Sequence, residues 1–476
     1  MAKKKTQSKS KKTAAKKSTT KKKASGKTAQ KSTEKVKKAA SKKAKTTTKK
    51  AAAKTKKAAA KKTASKATKK KTPASRSAKA TAPAAGGGGK KKAGSSGGSS
   101  LKAQEQRRKE NDKVTVNAIS EAALKIHGTI KRRKLPEMKL PVRSLSNVLY
   151  RPKTGFFEIG RGQKVRTLSV NTVKTFAQSL KMMSLSRELV KSNDFATKRD
   201  AYYQSKNWGE ARFSDQPESD TVMDDIEAMF SIDGVSREQL RFIPDQHGGA
   251  VAGELTVIDR DMETGEAIEI DCTRFGSGAY SVPSWVEHLR FRTKASFVLC
   301  IETQGMFQRL ASHKYWKTAN CILISMGGVP TRACRRFVRL LSESVKIPVY
   351  AFTDCDPYGI ANIYRTLKVG SGNAAHINRF FCVPNVSYLG LTPYDIEEYG
   401  LGKATHPLGK EDIKRAQDAL KNDPFFQSHK PWQKALQKML KTQVRAEQQA
   451  LSLHGLNFVM EEYLPRKLKS TKSFLP

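Results

Sequence analysis

Of the first hundred residues 35 are Lys or Arg and one, Glu34, is acidic, while large apolar side chains are almost absent. A segment of that kind cannot bury enough surface to offset the entropy of ordering its backbone. Residues 1–82, built mainly from Lys, Ala, Thr and Ser, are therefore expected to be disordered when free. The Gly/Ser-rich stretch that follows, up to Ser100, reads as a flexible linker. Positive charge at this density needs a polyanionic partner, and the Lys-rich tail 1–82 is expected to contact DNA through counterion release.

The other 376 residues hold 57 of the 92 basic and 41 of the 42 acidic side chains. That is the balance of a moderately basic globular protein, long enough for two or three cores. No apolar run approaches the roughly 18 residues of a membrane span, and the N-terminal region has no apolar segment of signal-peptide type. An intracellular, DNA-associated protein is expected, in cytoplasm and nucleoid or in a nucleus, with no membrane partner. The six cysteines show neither a CxxC pair nor Cys/His metal spacing, so they are expected to be small buried residues in a reducing compartment.

Globular composition begins near residue 102. Val116, Ile119, Ala123 and Ile126 recur at helical spacing within Asn111–Ile130, and Val170, Val173, Phe176 and Leu180 suggest a second apolar stripe, continued by Leu185, Leu189 and Val190. Helices at this spacing with intervening strands suit a winged-helix DNA-binding domain over residues 101–245. Residues 246–290 read as connecting strands. From Phe291 strands and helices alternate through 291–476. Apolar runs at Ser296–Glu302, Cys321–Met326, Val349–Asp354 and Val386–Leu391 are separated by amphipathic patterns at Met306–Ala319, Thr331–Ser344 and Gly359–Leu367. Connections of that length predict a parallel sheet covered by helices. A helical stretch, Glu411–Leu453, broken near Asp423-Pro424 and Lys430-Pro431, follows, with Gly455 as a C-cap.

Open parallel sheets carry their functional groups at the carboxyl ends of the strands. Glu302 ends the first predicted strand and Asp354 and Asp356 end the third, on one face because extended residues two apart point the same way. Three carboxylates around one crevice repel one another unless a cation neutralises them, and oxygen ligands suit Mg2+. Two other readings exist: Asp356, before Pro357, as a helix cap, and Asp-x-Asp as the opening of a haloacid-dehalogenase-type phosphatase. The late position of the pair, after a Glu-ending strand, disfavours the phosphatase.

Thr197-Lys198-Arg199-Asp200-Ala201-Tyr202-Tyr203-Gln204 offers a different chemistry. On a helix Arg199 and Tyr203 are i and i+4 and share a face. A phenol, with a pKa near 10, becomes a useful nucleophile when its anion is stabilised, and a guanidinium one turn away can do this while gripping a phosphate. Taken alone, the octamer reads more readily as one core and one surface aromatic.

This tyrosine segment resembles the motif of topoisomerase VI A subunits and of the related meiotic double-strand-break transesterases. Asp215–Asp220, Asp271–Gly278, Met306–Leu310, Phe352–Gly359 and Glu461–Pro465 continue the resemblance in the family's order over about residues 110–468. It implies a winged-helix (CAP-like) domain bearing the nucleophile, followed by a Toprim domain. It assigns Tyr203 as nucleophile with Tyr202 as fallback, Arg199 as assistant, Lys198 as a DNA contact, and Glu302, Asp354 and Asp356 as the Mg2+ acids. It further implies an A–A homodimer in which one protomer's tyrosine meets the other's acids, cleaving double-stranded DNA to leave 5′-phosphotyrosyl links. Thr303 after Glu302, and the Lys-free Ser325–Pro330, depart from the family pattern. No GxxxxGK[ST] loop or GHKL-type ATPase signature is present. ATP would accordingly be used by a partner B subunit in an A2B2 heterotetramer. The alternatives are a stand-alone break-forming transesterase and a non-catalytic architectural DNA-binding protein.

Overall fold

The computed structural model describes residues 96–244, 248–261 and 264–476. The readings made for the tail 1–82 and most of the linker fall outside the described residues. Helix α1, Ser96–Lys131, takes in the last five residues of the expected linker. The run from Leu101 to Lys109 is rich in strong helix formers, and extending a helix costs far less than nucleating one, so Ser96–Ser100 join it. Ile119 and Ile126, two turns apart, are its buried contacts.

Two antiparallel pairs follow. Strands β1 (Glu137–Pro141) and β4 (Gln163–Thr167) pair in register from Glu137 with Thr167, enclosing the hairpin of β2 (Val148–Arg151) and β3 (Phe156–Ile159). Helix α2, Val173–Ser192, is one continuous element. The apolar stripe is corrected: Val170 precedes the helix and is 92% exposed, and Val173 faces out. The buried face runs instead through Phe176, Ser179, Met183, Ser186 and Val190, a 3–4–3–4 spacing partly masked in the sequence because two of its members are serines.

After the short strand β5 (Ala196–Thr197) come α3 (Lys198–Gln204) and α4 (Gln216–Ser231). Asp215 caps α4, accepting from the Glu218 amide at 2.9 Å, and Pro217 lies in its first turn. Ile119, Met138, Phe176, Met183, Ala201, Met223 and Phe230 meet in one apolar core formed by α1, β1, α2, α3 and α4.

A second, larger core surrounds a six-stranded sheet. Strands β6 (Phe242–Ile243), β7 (Ala250–Gly253), β8 (Leu255–Arg260), β9 (Ala267–Asp271), β10 (Tyr280–Ser281) and β11 (Arg290–Thr293) precede its central strand β12 (Phe297–Ile301). With β13 (Cys321–Ser325), β14 (Val349–Phe352) and β15 (Val386–Gly390) the sheet order is β10-β7-β13-β12-β14-β15. The four expected strands are all present and mutually parallel. Every side chain of β12 and β13 is buried, as strands covered on both faces require.

The segment read as connecting strands supplies β7 and β10, antiparallel, to the β13 edge. It also supplies a separate antiparallel sheet of order β11-β8-β9. Ala250-Val-Ala-Gly253 is too short and too poor in bulky residues to announce a strand by periodicity. Helices α5 (Gln304–Ser312) and α6 (Arg332–Val345) follow β12 and β13, and α7 (Lys410–Asn422) and α8 (Lys430–Thr442) lie beyond the sheet. The predicted helix Gly359–Leu367 starts as a wide, π-type turn over Gly359–Tyr364 before tightening. Gly455, at φ 109°, ends the turn Gln448–His454 as expected. All six cysteines are free and buried.

The two cores are tied together. Phe156 and Phe157 of the β2–β3 hairpin belong to the sheet's core, and Asn378 donates to the Phe157 carbonyl at 3.0 Å. Arg332 at the start of α6 reaches Glu227 of α4 at 2.6 Å and Glu238 at 3.0 Å, with both acids buried.

Candidate active site

The tyrosines stand on α3, whose start is fixed by a reciprocal cap. Thr197 Oγ1 accepts from the Asp200 amide at 3.1 Å, and the Asp200 carboxylate accepts from the Thr197 amide at 2.9 Å. This Thr-x-x-Asp box explains why a seven-residue helix forms just there. Ala201 is buried beneath the helix and pins its inner face to α4.

The structure separates the two phenols. The Tyr202 hydroxyl accepts from Lys206 Nζ at 2.8 Å, and that ammonium also stands 4.1 Å over the Tyr202 ring. Tyr203 is 58% exposed and touches Tyr202 edge-on, with ring centroids 5.3 Å apart. Among the described residues the Tyr203 hydroxyl has no hydrogen bond, and Arg199, one turn away, is exposed without an ion-pair partner. Lys198, expected to contact DNA, faces α4 in the chain by itself. Its Nζ pairs with Asp220 at 3.2 Å, and its carbonyl accepts from Gln216 at 3.2 Å.

At the carboxyl ends of β12 and β14 the three acids occupy one crevice. Glu302 Oε2 accepts from the Asp354 amide at 2.9 Å, Asp354 Oδ1 from the Gln448 amide at 2.8 Å, and Asp356 Oδ1 from the Gly359 amide at 2.5 Å. Cys355 between them is buried and bonded in both directions to Ala446, which keeps the chain extended and turns Asp354 and Asp356 to the same side. Gly359 measures the closeness of the group. A Cβ there would lie 3.1 Å from Glu302 Oε2, 3.2 Å from Asp356 Oδ1 and 2.8 Å from the Asp354 carbonyl. The crevice tolerates no side chain at that point.

Electrostatics agree with the crowding. Burial, then the charge of Asp354, pushes the Glu302 carboxyl up to about 8. Burial also raises Asp354, to about 6, against the hydrogen bond from Gln448. Asp356 is raised too, by burial first. Glu447 adds to the repulsion on both Glu302 and Asp354 and is a fourth acid that sequence reading missed. Nothing in its local sequence signals this, because the tertiary path of the segment after α8 brings it there. Among the described residues no three carboxylates, histidines or cysteines stand together in ready metal-ligating geometry, since each acid is turned onto a backbone amide. The donor set is nonetheless all oxygen and partly buried, which suits a hard divalent cation.

The two departures from the expected pattern have local roles. Thr303 caps α5 and donates to Gln448 Oε1 at 2.8 Å. The Gly327-Gly328 pair adopts φ 66° and 86°, letting the loop after β13 turn so that the Gly328 amide reaches the Glu302 carbonyl at 2.9 Å. Tyr203 and the acids lie on different cores, and no hydrogen bond or ring contact joins them among the described residues.

Comparison with known proteins covers both regions. The family model for the Toprim domain of topoisomerase 6 A subunits and Spo11 matches residues 297–468. "All-beta domain in DNA topoisomerase VI alpha subunit" matches 245–295, and "Type IIB DNA topoisomerase" matches 174–241. The A subunit of type 2 DNA topoisomerase 6 from Methanocaldococcus jannaschii is 47% identical over 368 residues, covering 77% of this chain and 98% of its own length. Its counterpart in Methanothermobacter thermautotrophicus is 32% identical over 363 residues, covering 76% and 99%. That of Pyrococcus abyssi is 35% identical over 370 residues, covering 74% and 94%.

Proposed function

Because the chain belongs to the A-subunit family of topoisomerase 6, a type IIB topoisomerase, we propose that it breaks and reseals DNA strands with Tyr203 as the nucleophile. It is the DNA-cleaving subunit of such an enzyme. The observation that carries the assignment of the hydroxyl is the contrast on α3: Tyr202 is occupied by Lys206, whereas Tyr203 projects to solvent beside an unpaired Arg199.

In this reading α2, α3 and α4, with the β1–β4 pair, make up a winged-helix domain that delivers the tyrosine to duplex DNA. The Tyr203 oxygen attacks a backbone phosphorus and gives its proton to solvent, while the bond to the neighbouring 3′-oxygen breaks and that oxygen takes a proton from solvent. A 5′-phosphotyrosyl link and a free 3′-hydroxyl result. The reverse attack reseals the strand, because the phosphotyrosyl link conserves the energy of the phosphodiester. Arg199 holds the target phosphate and stabilises charge on the attacking oxygen.

Glu302, Asp354 and Asp356 would hold Mg2+, which supplies charge stabilisation and orientation at the phosphate. The chain's own part is to keep those oxygens gathered: Gly359 leaves them room, and Gln448 and Thr303 fix the crevice wall. Tyr203 stands on a different core from the acids. We infer a homodimer in which one protomer's tyrosine works with its partner's acids, each protomer cutting one strand. ATP is used on a separate B subunit, giving A2B2.

Denaturant trapping of covalent protein–DNA adducts, with the ATPase partner present, tests the reading. The parent chain and Tyr202→Phe are expected to form adducts with Mg2+ and Tyr203→Phe none. Adducts surviving in Tyr203→Phe would refute the assignment.

A further inference from the structure

Beyond α8 the chain returns across the crevice as a strap. Ala446 is bonded in both directions to Cys355, and the Gln448 amide reaches Asp354 at 2.8 Å. Gln448 Nε2 donates to the Phe352 carbonyl at 2.7 Å, so the strap is fastened to the end of β14 itself. Arg445 rides on this strap. Its Nη1 lies 3.6 Å from Asp356 Oδ2, and its Nε lies 4.0 Å from Asp412 Oδ2.

These are ion-pair distances without a hydrogen bond at either acid. Nε is sealed from solvent and has no hydrogen-bond partner among the described residues, while the side chain as a whole remains 36% exposed. Asp356 meanwhile spends its other oxygen on the Gly359 amide. The backbone of Arg445 is therefore held rigidly against the acid-bearing strand, and its guanidinium is held loosely. A planar fork of N–H donors in that state matches the geometry of a phosphate, which accepts two parallel hydrogen bonds from it.

We propose that Arg445 is a phosphate-contacting residue of the cleavage site, paired with Asp356 before DNA arrives and transferred to a backbone phosphate of the bound strand. The inference rests on the transesterase reading above. It differs from a purely structural ion pair in one way: either kind of pair competes with a cation for Asp356, but the loss of a structural pair would not act on the phosphate.

The test uses the full chain as Arg445→Ala and Arg445→Lys, checked by thermal melting. Mn2+ is titrated without DNA, and adduct trapping is carried out with the ATPase partner. Removing the competing guanidinium should tighten Mn2+ binding several-fold, while adduct yield falls by about a hundredfold, the usual scale for one lost charge-stabilising donor. Lys, which keeps the charge but loses the fork, should restore part of the yield.

Adduct formation by Arg445→Ala at the parent level overturns the proposal whatever the Mn2+ result. If the parent chain itself forms no adduct, the transesterase reading fails, and Mn2+ affinity unchanged by Arg445→Ala then overturns the link to Asp356 as well. Should the Ala variant fail to fold, Arg445→Lys decides alone, since parent-level adducts in it exclude a role for the fork.

Discussion

At the level of single residues, two adjacent tyrosines differ only in what surrounds them. The sequence shows a pair, and the surroundings turn Tyr202 into a packed, Lys-bound phenol and leave Tyr203 exposed. Arg199 shares that exposed face, so Arg199→Ala should lower adduct yield about a hundredfold with little change in DNA affinity, because one transition-state contact is lost among many binding contacts. A comparable loss of binding and cleavage would make Arg199 an ordinary DNA contact. Gly359 is a residue whose importance only geometry reveals. A methyl there would press on the Asp354 carbonyl and on Glu302 and Asp356. Gly359→Ala should therefore weaken Mn2+ binding and cost about 1–3 kcal/mol of stability by overpacking. Unaltered Mn2+ affinity in calorimetry would show that the crevice can yield.

Between elements, the decisive link is α4 to α6. Helix α4 holds α3 through Lys198–Asp220 and Gln216, and through Glu227 it holds Arg332 of the sheet-bearing region. Removing Arg332 leaves Glu227 and Glu238 buried without it, so Arg332→Met should destabilise the protein by about 3–5 kcal/mol. A denaturant midpoint close to that of the parent would contradict this. Burial alone would raise the Glu227 carboxyl, but the charge of Arg332 and the contact with His376 outweigh it and hold the carboxyl well below its ordinary 4.5. A depressed carboxylate contributes stability that is present above pH 4.5 and is lost as pH falls through the folded-state value. Melting temperature should thus decline on acidification below about pH 4.5. Glu227→Gln should begin less stable and lose less over the same range, and parallel curves would remove Glu227 from the explanation.

Across the whole molecule, a strongly basic N-terminal segment precedes the residues described from Ser96 onward. Deleting residues 1–95 should weaken DNA binding and flatten the dependence of log affinity on log salt, because fewer counterions are released. Adduct formation should remain, since Tyr203, Arg199 and the acids all lie outside the deleted segment. An unchanged salt slope would mean the tail makes no DNA contact. Within the described residues no helix is long and apolar enough to cross a membrane.

Much of this organisation was legible in one dimension. The charge segregation, the four buried strands, the acids at their ends and the tyrosine helix follow from local composition and from periods of 2 and 3.6 residues, and these act over short stretches of chain. What escaped depends on meetings between distant residues. The serines on the buried face of α2, the strands β7 and β10 at the sheet edge, the pairing of Lys198 with Asp220, and the return of Arg445 and Glu447 to the acids are cases of this kind. Such contacts are set by burial and by the path of the chain in space. No window of neighbouring residues holds that information, so local sequence named the chemical groups and tertiary packing decided which of them meet.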